Sequence, residues 1–307
     1  MSITHSMLAV VCHDAGGAEI LSSFLRQNPQ PYSLVLDGPA VNIFKRKLGD
    51  CQTTSLANAI DQCSWVLCGT SWQSNLEKQA IVQAKASGKR VIAFIDHWVN
   101  YSERFQLDGM NIEPDEIWVG DVDAKILASQ VFPAIKIVLI PNPYFEDLAI
   151  ELNKPHSPSN FPSRFSILYV CEPIREHALL SFGDERHWGY TEEDALHFFL
   201  ENTVALHHAI SDIKIRPHPS ESKSKYDWVK EAYALVTETT SDKSLMEQIM
   251  EADIVVGCNS MAMAVALFAK KRVISSIPPG GQCCSLPQAE IEHMQALVTK
   301  YQESFDG

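Results

Sequence analysis

The sequence lacks an excess of positive charge, a long hydrophobic segment and a glycine-rich dinucleotide motif. Its 307 residues include 25 Lys and Arg against 38 Asp and Glu, which gives a net charge of −13. A general nucleic-acid binder needs excess Lys and Arg to neutralise phosphates, so this class is disfavoured. The apolar run from Met7 to Val11 is too short for a signal peptide or a membrane span. We therefore expect a cytoplasmic protein with no nucleic-acid partner.

The sequence also lacks a recognisable metal motif. Most of its eight cysteines lie in apolar segments, where a reduced thiol behaves as a small hydrophobic side chain. The adjacent pair Cys283 and Cys284 has no second pair at ligand spacing. Asp121-Val122-Asp123 matches a metal-binding D-x-D string, but it directly precedes a predicted helix, and an N-cap explains it better. We expect neither a metal nor another cofactor.

Short β-rich segments alternate with helical segments along the chain, and 46% of the residues are hydrophobic. This alternation predicts an α/β fold with parallel sheets covered on both faces. Residues 146–164 lose the periodicity and collect Asn, Pro and Ser, which is typical of a linker. We predict two Rossmann-like domains facing a cleft, at residues 1–145 and 165–307. The second contains predicted helices over residues 192–210 and 286–301.

The most informative motif is Arg216-Pro217-His218-Pro219-Ser220, which follows an apolar strand-like segment. Proline cannot donate to a sheet ladder, so the strand must end here, with His218 in an extended turn. Ligands of open α/β sheets bind outside the carboxyl ends of the strands. An imidazole and a guanidinium at this position predict an anionic ligand.

A second motif begins with the apolar segment Ile254-Val255-Val256-Gly257 and continues through Asn259 and Ser260 into an Ala-rich stretch. We interpret it as strand, turn and helix, with Asn259 or Ser260 at the N-cap. The free N–H groups and positive dipole of a helix start favour a phosphate. His218 and Ser260 together therefore predict a phosphate site.

The first half offers a third motif, His13-Asp14-Ala15-Gly16-Gly17, between the first strand and the first helix. It does not match G-x-G-x-x-G, which disfavours dinucleotide binding. Gly16 and Gly17 permit close approach of a ligand, and His13 and Asp14 are candidate catalytic groups. The alternative is that Asp14 only caps the helix.

Two further segments follow predicted strands. Asp96 and His97 lie in a loop dense in polar and aromatic side chains, and the alternatives are catalysis or a buried Asp–His pair that orders the loop. Thr70 and Ser71 resemble an acceptor or phosphate loop, and the alternative is a simple hydroxyl-capped helix start.

The R-P-H-P-S turn and the later D-I-V-V-G-x-N-S-M-A turn resemble the donor half of GT-B glycosyltransferases of the bacterial capsule and lipopolysaccharide type. This group includes polysialyltransferases, sialyltransferases, Kdo transferases and CDP-glycerol glycerophosphotransferases. The resemblance implies that His218 and Ser260 hold the donor phosphate. It also implies that Glu172 and Pro173 lie near the base and ribose.

The resulting hypothesis is metal-independent transfer of a sugar, or a glycerol-phosphate-like group, from a nucleotide donor to a hydroxyl acceptor in surface-polysaccharide biosynthesis. The donor would be a CMP-sugar or similar, and the acceptor a glycan or small hydroxyl compound. Asp14 is the favoured general base and His97 the second, while Arg216 could add a cation at the phosphate. Peripheral membrane association is compatible with this role, and the oligomeric state is left open. Two alternatives are a nonhydrolysing nucleotide-sugar 2-epimerase and a non-catalytic nucleotide-sugar-binding protein.

Overall fold

The computed structural model describes residues 7–72, 74–152, 164–222, 224–238 and 243–306. The chain divides into two compact units, Met1–Lys154 and Pro155–Gly307. Each unit contains a six-stranded sheet in which every neighbouring pair of strands is parallel, with helices between the strands. The predicted α/β class and the two Rossmann-like domains are confirmed.

In the first unit the strand order is β2-β1-β3-β4-β7-β8. The interior strand β1, between β2 and β3, is buried at all five positions, as expected of a parallel strand covered on both faces. The antiparallel pair β5-β6 lies outside this sheet. The strands are β1 (Leu8–Cys12), β2 (Tyr32–Leu36), β3 (Trp65–Cys68), β4 (Arg90–Ile95), β5 (Gln106–Leu107), β6 (Met110–Asn111), β7 (Glu116–Val119) and β8 (Lys136–Leu139). The helices are α1 (Ala15–Gln27), α2 (Pro39–Leu48), α3 (Leu56–Gln62), α4 (Leu76–Ala86), α5 (Val122–Val131) and α6 (Pro143–Leu152).

In the second unit the order is β11-β10-β9-β12-β13-β14. The strand β9 lies between β10 and β12, so the segments that follow these three strands meet at one edge of the sheet. The strands are β9 (Phe165–Val170), β10 (Ile210–Arg216), β11 (Val236–Glu238), β12 (Ile254–Gly257), β13 (Arg272–Ser275) and β14 (Glu292–His293). The helices are α7 (Ile174–Phe182), α8 (Glu192–Glu201), α9 (Asp227–Ala232), α10 (Leu245–Glu251), α11 (Met261–Phe268) and α12 (Met294–Asp306).

The predicted linker begins too early. Its first seven residues, 146–152, belong to α6, which packs against α1. The amide of Gln27 donates to the carbonyl of Pro143 at 2.9 Å and to Asp147 Oδ1 at 3.0 Å. These contacts explain why a short helix with weak periodicity forms here. Of the remaining linker residues, 153–163 lie outside the described residues.

Two predicted helices differ in extent. The helix predicted over residues 192–210 ends at Glu201, and a 3-10 turn at Thr203–Leu206 follows it. His207 then adopts a left-handed φ of 54°, which a continuing α-helix cannot contain. The last helix begins at Met294 rather than near residue 286. Within the described residues, no helix is long and apolar enough to span a membrane.

Candidate functional site

The carboxyl edge of the first sheet brings together five side chains, which we call the first-sheet cluster: His13, Asp14, Glu77, Asp96 and Arg104. His13 and Asp14 follow β1, Asp96 follows β4, and Glu77 lies in the first turn of α4. Arg104 lies in a 3-10 turn and reaches back to Asp96. The cluster therefore combines three carboxyl groups with an imidazole and a guanidinium.

His13 and Asp14 form a close pair. His13 Nδ1 lies 2.7 Å from Asp14 Oδ1, and this hydrogen bond raises the pKa of His13. Asp14 occupies the N-cap position of α1, but its side chain makes no capping hydrogen bond. Asp14 thus stands at the cap position, but its side chain bonds His13 and does not cap the helix, and its catalytic role stays a prediction. Both side chains are about one quarter exposed, so solvent and small ligands can reach them.

Glu77 was not identified from the sequence. It is 1% exposed, and its Oε1 accepts a hydrogen bond from the backbone N–H of His13 at 2.7 Å. Its Oε2 is buried and has no hydrogen-bond partner among the described residues. Burial, followed by the charge of Asp14, raises the pKa of Glu77 to about 7. At neutral pH this carboxyl group can therefore either accept or release a proton.

Asp96 and Arg104 form a buried ion pair. Arg104 Nη1 donates to Asp96 Oδ1 at 2.8 Å. The side chain of Arg104 is 4% exposed and that of Asp96 is 9% exposed. Burial raises the pKa of Asp96, and the charge of Arg104 opposes this shift. Arg104 also donates to the carbonyl of Thr70 at 3.0 Å and to that of Val99 at 3.1 Å. The guanidinium thus fixes the position of Asp96 at the sheet edge.

Glycine is required where α1 approaches the cluster. A Cβ at Gly16 would lie 2.1 Å from Asp96 Oδ2, and one at Gly17 would lie 3.4 Å from the Cα of Gly69. The atoms that approach these glycines belong to the protein itself, and the predicted approach of a ligand stays a prediction. Gly16 allows the Asp96 carboxylate to lie over the start of α1.

Thr70 and Ser71 differ from the predicted ligand loop, because they are only 1% and 0% exposed. Thr70 Oγ1 accepts from Arg104 Nη1 at 2.8 Å, while Ser71 Oγ accepts from the N–H of Ser74 at 2.9 Å. Their hydroxyls thus order the protein and do not face a ligand. The Nδ1 of His97 accepts from the N–H of Trp98 at 3.0 Å, and Asp96 forms its ion pair with Arg104.

The carboxyl edge of the second sheet contains the residues predicted to bind the donor. His218 follows β10, Glu172 and Pro173 follow β9, and Asn259 and Ser260 follow β12. Because β9 separates β10 from β12, His218 and the Ser260 turn flank the end of β9, about 10 Å apart by strand spacing. This arrangement is a single sheet edge, as the motifs predict.

Glu172 occupies the backbone donors that the sequence assigns to a phosphate. Its Oε1 accepts from the N–H of Cys258 at 3.0 Å and from that of Asn259 at 2.8 Å. Burial raises the pKa of Glu172 to about 7, while the backbone hydrogen bonds oppose the shift. The turn before α11 therefore binds an anion, as expected, but that anion is a carboxylate of the chain. The placement of Glu172 near the base and ribose of a donor stays a prediction.

His218 is half-buried, and burial lowers its pKa. Its ring Nδ1 lies 2.7 Å from Ser220 Oγ and accepts from the backbone N–H of Ser220 at 3.3 Å. The backbone N–H of His218 donates to Glu221 Oε2. A ring that accepts at Nδ1 carries its proton on Nε2 when neutral. His218 is therefore a neutral donor through Nε2.

The other residues predicted to bind the donor also form contacts within the chain. Ser260 is the N-cap of α11, and its Oγ accepts from the N–H of Ala262 at 3.2 Å. The side chain of Asn259 accepts from the N–H of Ser285 at 2.7 Å. Arg216 bonds Gln248 and the carbonyl of Lys243, and Pro173 stands at the N-cap of α7.

The D-x-D string caps a helix, as predicted. Asp121 accepts from the N–H of Ala124 at 2.7 Å and from the indole N–H of Trp98 at 3.1 Å. In the described part of the chain, no group of three or more His, Cys, Asp or Glu side chains has the arrangement of a metal site.

No family profile and no curated protein matches the chain. Solved structures do match. S. aureus MnaA, solved with UDP, has a TM-score of 0.64 at 10% identity, covering 98% of this chain and 88% of that one. A UDP-GlcNAc 2-epimerase from Neisseria meningitidis bound to UDP-GlcNAc has a TM-score of 0.63 at 10% identity, and the match covers 98% of this chain and 91% of that one. Anabaena HepE in complex with UDP-glucose has a TM-score of 0.52 at 12% identity, and the match covers 97% of this chain and 89% of that one. The chain thus has the two-domain GT-B-like fold of these structures, which confirms the expected fold class.

Proposed function

We propose that the chain is a nucleotide-sugar 2-epimerase, which inverts the carbon next to the anomeric carbon of a UDP-sugar. The observation that carries the proposal is the first-sheet cluster, with three carboxyl groups and an arginine at one sheet edge. A 2-epimerase, one of the alternatives left open above, requires a dense set of acids and arginine, and the sequence motifs alone do not show such a set. Folding supplies such a set, since Glu77 and Arg104 come from segments that the motifs did not include.

Inversion at C2 requires a base that removes the C2 proton and an acid that returns a proton to the opposite face. The C2–H bond is too weakly acidic for this alone, so the nucleoside diphosphate must leave C1 as the proton leaves C2, which forms a C1=C2 double bond. The same diphosphate oxygen must then add back to C1 as a proton is delivered to the opposite face of C2, so that the bond broken in the first half is re-formed. Glu77 and Asp96 support the two proton transfers, because both have raised pKa values. Asp14, paired with His13, remains the base predicted from the motif.

The second unit supports binding of the nucleotide diphosphate. The neutral His218 can donate through Nε2, and the hydroxyl of Ser260 keeps its proton free to donate, since Oγ acts as an acceptor in the cap. Both donors stabilise negative charge that develops on the departing phosphate. The UDP and UDP-sugars bound by the structural neighbours favour UDP over CMP as the nucleotide.

The deciding experiment omits any acceptor. Purified protein is incubated with UDP-GlcNAc alone, and the sugar is followed by proton NMR. An epimerase converts it to an equilibrium mixture with UDP-ManNAc, whereas a transferase leaves it unchanged. Unchanged UDP-GlcNAc across pH 6–9, with CMP-sugar consumed only when a glycan acceptor is added, would reject the epimerase.

A glycosyltransferase acting on a CMP-sugar is the second candidate. The R-P-H-P-S turn and the N-S-M-A turn favour it, because these motifs prompted the resemblance to capsule and lipopolysaccharide transferases. Such an enzyme would need an acceptor and could associate peripherally with a membrane. Either substrate is a nucleotide-sugar, which agrees with the cytoplasmic location expected from the sequence.

A further inference from the structure

Lys78 is a buried cation beside the first-sheet cluster that no step above uses. It follows Glu77 in the first turn of α4 and is 5% exposed. Its only hydrogen bond among the described residues is a long one of 3.5 Å from Nζ to the carbonyl of Trp72, in the loop after β3. That contact places the ammonium at the carboxyl edge of the sheet.

The ammonium of Lys78 is poorly satisfied. It has three N–H donors, and within the described part of the chain it forms no salt bridge and one hydrogen bond at the limit of the distance range. Burial lowers the pKa of Lys78, while the charges of Glu77 and Asp14 oppose the shift. Buried charges in proteins are normally paired, so an unpaired one at a ligand edge requires an explanation.

The neighbouring residue Glu77 has a buried acceptor that lacks a hydrogen-bond donor within the described part of the chain. Its Oε2 is a buried acceptor without a partner among the described residues, and its Oε1 is held by the N–H of His13. Two consecutive residues thus leave a donor and an acceptor incompletely satisfied at one edge. Internal contacts alone would normally satisfy both groups, so the deficits point to a polar ligand.

We propose that Lys78 is a substrate-binding residue, whose ammonium binds a phosphate oxygen of the nucleotide-sugar. This inference rests on the proposed function and names a further contact for its leaving group. In a 2-epimerase the atom that loses the proton, C2, is bonded to the atom that loses the phosphate, C1. A cation at the phosphate beside a carboxyl group at C2 stabilises both developing charges in one step.

The test compares Lys78→Met, which keeps most of the side-chain volume and removes the charge, with Lys85→Met as the matched control. Lys85 lies on the same helix, but it is exposed and paired with Asp115 at 3.0 Å. Affinities for UDP and for UDP-GlcNAc are measured by calorimetry, with thermal melting of the free proteins. We expect Lys78→Met to weaken both ligands equally, by about 10- to 100-fold. We expect its Tm to rise by about 2–4 °C, since a poorly satisfied charge is removed.

Each contrary result has one meaning. Unchanged affinity for both ligands overturns the proposal, and so does a loss confined to UDP-GlcNAc, since the lysine would then contact the sugar. A Tm that falls below that of Lys85→Met shows a structural lysine and also overturns it. If Lys78→Met does not fold, Lys78→Gln is measured by the same comparison.

Failure of the proposed function is recognised separately. In that case UDP-GlcNAc stays unchanged in the NMR assay without acceptor, while the binding comparison of the variants remains valid. If the wild type also binds neither UDP nor UDP-GlcNAc, inorganic pyrophosphate becomes the probe. Binding of pyrophosphate by the wild type that is lost in Lys78→Met, and retained in Lys85→Met, supports the lysine as an anion contact. Equal behaviour of the three proteins rejects it.

Discussion

Replacing Glu77 with Gln should change the pH dependence of stability in a direction that the structure fixes. The pKa of Glu77 is raised from 4.5 to about 7, so between these pH values the unfolded chain is ionised while the folded chain retains the proton. The unfolded state then binds fewer protons than the folded state, and the free energy of unfolding falls as pH rises. The loss is about 1.4 kcal/mol per pH unit, or about 3 kcal/mol from pH 4.5 to pH 7.

Glu77→Gln removes this loss, because the amide cannot ionise and its oxygen can still accept the N–H of His13. We expect the variant to match the wild type near pH 4.5 and to exceed it by about 2–3 kcal/mol at pH 8. The assay is urea unfolding at pH 5, 6, 7 and 8. Glu113→Gln, at an exposed position, is the control. A stability difference between Glu77→Gln and the wild type that does not vary with pH would refute the reasoning.

Three further predictions concern the two sheet edges. Arg104→Met should lower the free energy of unfolding by about 3–5 kcal/mol, since it leaves Asp96 as a buried unpaired charge, and urea unfolding tests this. Gly16→Ala should reduce turnover at least about tenfold and should also lower Tm, because a Cβ 2.1 Å from Asp96 Oδ2 displaces this carboxylate from its buried ion pair with Arg104; an unchanged rate would contradict it. His218→Ala should weaken UDP binding by about 10- to 100-fold in calorimetry. The control is His197→Ala, which removes an imidazole that stacks on Trp228 and should leave UDP binding unchanged. Equal effects of the two variants would show that His218 does not contact the phosphate.

The main strands were predictable because each carries a dense apolar signal. The apolar run from Met7 to Val11 covers four of the five residues of β1, Leu8–Cys12, which is buried throughout. Helices such as Asp227–Ala232 and Leu245–Glu251 were not predicted, because six or seven residues hold less than two turns of periodicity. The hairpin Gln106–Leu107 and Met110–Asn111 is shorter still.

The site was predictable only where side chains follow a strand directly. His13, Asp14, Asp96 and His218 belong to that class, because the end of a strand fixes the edge at which the next residue lies. Glu77 does not belong to that class, because it lies in the first turn of α4 and not directly after β3. Its signal was the spacing of Glu77 to Ala80, Ile81 and Ala84, which places it on the buried face of α4.

Contacts made by tertiary packing could not be predicted from the sequence. The sequence shows Glu172 near a strand end, but only the fold brings it to the N–H groups of Cys258 and Asn259, 86 and 87 positions away. Arg104 likewise reaches Thr70 across 34 positions. Such partners decide which polar groups remain free for a ligand.

The most direct test of the account is deuterium incorporation at C2. Wild-type protein is incubated with UDP-GlcNAc in D₂O without acceptor, and the C2 proton signal is followed by NMR alongside Glu77→Gln. The account predicts that the wild type replaces the C2 proton with deuterium as the 2-epimer forms, and that Glu77→Gln loses at least about tenfold in this rate. A C2 proton that persists in the wild type, or an exchange rate that Glu77→Gln leaves unchanged, would contradict it.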